Sequence, residues 1–115
     1  MSEDPIDPAV FAELEATTGA DFAVELANTF LEEAPGMIAE LRNAHAAEDG
    51  EWFQRAAHSL KSNANTFGAF ALAARARELE IGGLNDDPDR NEAALSELET
   101  LLTKAAAALK ALIHV

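Results

Sequence analysis

The chain reads as an all-α protein: an antiparallel four-helix bundle with a short additional N-terminal helix. Three observations predict this. Apolar residues recur at steps of three and four almost throughout. Alternating patterns and β-branched runs are missing, and there is no tyrosine. Gly19, Gly50, Gly68 and the Gly82-Gly83 pair fall between the periodic stretches, where glycine ends helices. At 115 residues the chain can bury one core, so residues 1–115 are expected to form a single domain.

The first helix should begin at Asp7-Pro8, a capping side chain followed by proline at the first helical position, and stop near Gly19. It carries Val10, Phe11 and Leu14 and is short enough to lie across the end of something larger. A second helix from Asp21 should bury Phe22, Leu26, Phe30, Met37, Ile38 and Leu41 and end at Glu48-Asp49-Gly50. Pro35 lies within it and is expected to kink or split it, because proline lacks a backbone donor and clashes with the preceding turn. A third helix, about 51 to 67, draws one stripe through Phe53, Ala57, Leu60, Ala64 and Phe67. The fourth, about 69 to 81, turns Phe70, Leu72, Ala73, Ala76 and Leu79 inward before Gly82-Gly83 breaks it. Asn85-Asp86-Asp87-Pro88-Asp89 is the clearest turn. In the last helix, about 89 to 113, Leu95, Leu98, Leu102, Ala105, Leu109 and Leu112 make a bundle seam.

Composition narrows the function. A net charge of −13 argues against nucleic acid, whose phosphates need a basic footprint, and against anionic membrane surfaces. With no cysteine there is no disulfide framework or thiolate chemistry. The acidic start, Met1-Ser2-Glu3-Asp4-Pro5, does not read as a signal peptide, and no apolar run is long enough to span a bilayer, so the expected address is the cytoplasm. Four of the eight basic residues, Arg55, Lys61, Arg75 and Arg77, gather around and after His58, a local positive patch suited to an anionic group or an acidic partner face.

The three histidines, 45, 58 and 114, show no local metal-ligand spacing, so no metal site is expected. His45 and His114 read as ordinary residues. His58 differs by its company. It falls off the apolar stripe of its helix together with Gln54, Arg55, Lys61, Ser62 and Asn65, so an imidazole faces water with an ammonium one turn later. Neutral imidazole has an unprotonated nitrogen that attacks phosphorus without a general base. Lys61 is placed to meet the incoming charge, and Ala57, Ser59 and Ser62 are small enough to admit another protein's active site. A carboxylate is still needed to hold the Nδ1 proton; the local pattern does not choose which.

The run from His58 to Ala69, with Leu72, Leu79 and Glu80, resembles the histidine phosphotransfer (HPt) domain of phosphorelays. That family's pattern is His-x-Leu-Lys-Gly/Ser, a Gly-Ala pair ten residues after the histidine and a Leu-Glu ending twenty-two after it; this chain has each at that spacing. Phe30-Leu31-Glu32-Glu33-Ala34-Pro35 also looks like the family's second helix. The resemblance implies that His58 accepts phosphate, that Lys61 stabilises phosphoryl charge, and that Glu80 orients the imidazole. It implies docking by response-regulator receiver domains and a sensor or hybrid histidine kinase, over a face that would include Gln54, Arg55, Ser62, Asn65 and Gly68. Ser62 and Asn63 stand where the family often has Gly and Ser. No cofactor is expected on this chain; Mg²⁺ would sit on the receiver. The expected carrier is a monomer without autonomous kinase activity, since no glycine-rich nucleotide loop is present.

Three other readings are weighed. A bundle that docks receivers without transfer does not explain the pairing of His58 with Lys61. A phospho-accepting module of a chemotaxis-type kinase would need more chain. A purely structural bundle explains the seams but not the exposed His58 and Lys61.

Overall fold

The computed structural model describes residues 5–113, so the reading of His114 lies outside the described residues. Five helices follow one another: α1 (Pro8–Thr18), α2 (Ala20–Ala46), α3 (Gly50–Thr66), α4 (Phe70–Gly82) and α5 (Pro88–Ile113). Helix α2 packs on α3 and α5, and α4 packs on the same two, while α1 lies against α2.

Local chemistry sets the boundaries. Asp7 caps α1 by accepting from the Ala9 amide at 3.0 Å, with Pro8 starting the helix. Asp49 caps α3 through the Trp52 amide at 3.0 Å. Helix α2 ends with Glu48 in the left-handed region at φ 55° while the Asp49 amide reaches back to the Ala44 carbonyl. Helix α3 ends the same way at Gly68, φ 75°, with the Ala69 amide on the Ala64 carbonyl at 2.9 Å. The turn between α4 and α5 is organised by Asn91, which is buried and exchanges two 2.9 Å bonds with the Asn85 backbone.

The expected seams of α3 and α5 are buried, Leu112 only in part. Some expectations fail, and Leu26 and Met37 are only partly buried. Phe22 is half exposed, and α2 instead buries Ala23, Ala27, Phe30, Ala34, Ile38, Leu41 and Ala44. Phe70 is likewise half exposed at the start of α4, whose buried residues are Leu72, Ala73 and Ala76, with Leu79 partly covered. In α2 the error comes from preferring large residues to the adjacent alanine stripe, whereas closely packed helices meet through small residues; in α4 the alanines were expected and only the ring at its first residue lies outside the core. Pro35 does not split α2, which runs unbroken from Ala20 to Ala46. Proline is exposed there while Ala34 and Ile38 on either side are buried, so packing of the inner face holds the helix across one missing hydrogen bond.

Helix α1 closes one end. The Asp7 amide donates to the Gly68 carbonyl at 3.0 Å, and Ile6 and Phe11 are buried. Phe30 and Phe67 meet there with ring centroids 5.2 Å apart. Among the described residues no helix is long and apolar enough to cross a membrane.

Candidate functional site

Midway along α3 the buried stripe of Phe53, Ala57, Leu60 and Ala64 turns His58 outward, and its side chain is 58% exposed. The last turn of α4 brings Glu80 behind it. The His58 Nδ1 lies 2.6 Å from Glu80 Oε2, and Lys61 Nζ lies 2.8 Å from Glu80 Oε1. One carboxylate thus holds both α3 side chains. The Lys61 hydrogen bond and then that of His58 hold the Glu80 carboxyl below the usual carboxylate range, so it is ionised and only accepts. An acceptor at that distance assigns the donor role to Nδ1–H and leaves Nε2 as the ring nitrogen not engaged by Glu80.

The model of the Hpt domain family matches residues 25–111. The chain belongs to the Hpt domain family. It is a histidine phosphotransfer carrier of phosphorelays, a family that works between histidine kinases and receiver domains.

The HPt fold is matched in three dimensions by the crystal structure of histidine-containing phosphotransfer protein B (HptB) from Pseudomonas aeruginosa PAO1. The TM-score is 0.83 at 24% identity, over 98% of this chain and 97% of that one. No curated protein matches the chain.

The other predicted residues of this HPt domain divide into two groups. Arg55, Ser62 and Asn65 are exposed on the histidine face of α3. Gln54 is exposed too, but its Nε2 donates to the Glu80 carbonyl at 3.2 Å, so it bridges α3 to α4. Gly68 is buried beneath α1, and a Cβ there would come within 2.9 Å of Val10 Cβ. It shapes the α1 junction and does not lie on the open histidine face. The positive patch is also smaller than the sequence implied, because Arg75 pairs with Glu78 and Glu97 at 2.7 and 3.2 Å and Lys61 with Glu80.

Some neighbours were not foreseen. A hollow of about 320 Å³ between α2 and α3 is lined by Met37, Glu40, Trp52, Arg55, Ala56 and Ser59 and shares Arg55 with the shallow surface that holds His58 and Glu80. Trp52 donates its indole N–H to Glu40 at 2.7 Å across it. Ile81, next to the site carboxylate, is 69% exposed. A sole tryptophan in the first turn of the helix that carries His58 was the available signal for the first.

Proposed function

We propose that His58 is the phosphoryl acceptor, taking the group from a receiver-domain aspartate or a hybrid kinase and relaying it to a response regulator. The observation that carries this is the 2.6 Å contact of Nδ1 with Glu80 on a ring 58% exposed. The Nε2 lone pair attacks phosphorus in line, the P–O bond to the partner's aspartate breaks, and the aspartate leaves as carboxylate. The Nδ1 proton stays in place, and the positive charge gained by the ring faces ionised Glu80. Lys61, one turn after His58, would share its ammonium between the incoming oxygens and Glu80. Such transfer depends mainly on positioning and charge stabilisation. Mg²⁺ would be supplied on the receiver.

The rest of the reading follows. Residues 1–115 would form one domain, with α2 to α5 as the antiparallel four-helix bundle and α1 as its additional N-terminal helix. Arg55, Ser62 and Asn65 would border the docking face. The protein would act as a cytoplasmic monomer and would not phosphorylate itself.

The test is incubation with a phosphorylated receiver domain, followed by detection of an acid-labile, base-stable phosphoryl group. His58→Gln is expected to abolish labelling while leaving the fold intact, since the side chain lies outside the core. Unchanged labelling of that variant would sink the assignment.

A further inference from the structure

Gln54, His58 and Lys61 step by four and three along one face of α3, and all three end on the same residue of α4. His58 and Lys61 take the two carboxylate oxygens of Glu80. Gln54 takes its backbone carbonyl. That carbonyl belongs to the last turn of α4, where helix carbonyls have no intrahelical donor and the chain is free to fray. The Gly83 amide already satisfies Leu79 at 2.8 Å. Beyond it the chain turns at Gly83, φ 66°, and a Cβ at that glycine would stand 3.4 Å from the Gln54 amide nitrogen. That is ordinary contact distance, so the Gln54 amide lies packed against the turn that ends α4.

We infer that Gln54 is a positioning residue for phosphoryl transfer: by capping the Glu80 carbonyl it fixes the height and rotation of the Glu80 carboxylate, and through it the Nδ1–H tautomer of His58. This rests on the assignment of His58 and Glu80 above. It also reassigns Gln54, which by its place on the exposed face would otherwise count as a docking residue. The two roles differ in what they move. A docking residue changes the receiver concentration needed for transfer. A residue acting through Glu80 changes the rate at saturation and the state of the imidazole in the free protein.

The experiment compares wild type, Gln54→Leu, Gln54→Glu, Glu80→Ala and the Gln54→Leu/Glu80→Ala double variant. Leucine keeps most of the volume without a donor, and glutamate keeps the shape while presenting only acceptors when ionised. Single-turnover transfer from a phosphorylated receiver is measured against receiver concentration, and the His58 tautomer by ¹⁵N NMR of the free protein. Both Gln54 variants are expected to lower the saturating rate by roughly three- to tenfold, the scale of one lost hydrogen bond, with the half-saturating concentration unchanged. Their ring nitrogen shifts should move from Nδ1–H toward a mixture of tautomers. In the Glu80→Ala background Gln54→Leu should add no further loss. A higher half-saturating concentration at an unchanged maximal rate would overturn the proposal in favour of docking. So would an unchanged tautomer, or a loss in the double variant equal to the product of the single ones. Should Glu80→Ala itself leave rate and tautomer untouched, the underlying role of Glu80 fails instead, and Gln54 has nothing to act through.

Discussion

At the scale of single residues the site is one carboxylate with two attachments. Glu80 is only a quarter exposed, and Lys61 is similar, so their pair is better sheltered than an ordinary surface bridge. That bond uses one of the three ammonium donors of Lys61 and leaves the others for an incoming anion. Lys61→Ala is expected to slow transfer by about tenfold or more while leaving receiver binding nearly intact, measured as saturating rate and half-saturating concentration. The Glu80 carboxyl, held below its ordinary 4.5 first by Lys61 and then by His58, gives a pH prediction. Because its folded-state value is depressed, the stabilisation it brings is complete above the unfolded value, near 4.5, and is lost as pH falls through the lower folded value. An NMR titration of the Glu80 carboxyl carbon should show its midpoint below 4.5; a midpoint at or above that value would mean the contacts with Lys61 and His58 do not persist in solution.

Helices supply the geometry that no single residue has. The α3 stripe presents His58 outward, and the α3–α4 packing brings the last turn of α4 under it. What sets α4 relative to α3 is the short connection through Phe67, Gly68 and Ala69. Gly68 has φ 75° and no room for a side chain against Val10 and the Asp7 carbonyl. Gly68→Ala therefore meets backbone strain and a clash together, and is expected to cost about 1–3 kcal/mol in urea denaturation. Loss of the α1 contact, seen as faster amide exchange at Asp7, should accompany it. Wild-type stability in the variant would show that α1 moves aside at little cost.

For the molecule as a whole, charge opposes compactness. The net charge is −13, and the inter-helix ion pairs of Arg42 with Glu92 and Glu99, and of Arg75 with Glu97, lie in partly exposed positions where such pairs contribute little. Self-repulsion should therefore outweigh them. Raising ionic strength from about 0.01 to 0.15 M shortens the screening length from about 30 to 8 Å and is expected to raise the melting temperature. A fall on adding salt would mean that the ion pairs dominate.

How much of this was written in the sequence depends on how local the physics is. Helix boundaries were legible because caps and left-handed glycines act within a few residues: Asp7-Pro8, Gly19 and Gly68 each end or start a helix where expected, while Asp49, expected to end α2, instead caps the start of α3. The seams of α3 and α5 were legible because large apolar residues repeat there at helical steps. Helix α2 was misread at Phe22 because its seam is built largely of alanine, whose burial depends on how closely another helix comes. The motif spacing identified His58, Lys61 and Glu80 as a set, but spacing along the chain holds no distances. Only the packing of α4 on α3 decided that Glu80 holds Lys61 as well as His58, that Gln54 ends on the Glu80 carbonyl, and that Gly68 is covered by α1. The sequence by itself determined the helices and the family they belong to. The tertiary structure decided which groups touch, because contacts between helices depend on their separation and rotation, and those are settled by the whole core at once.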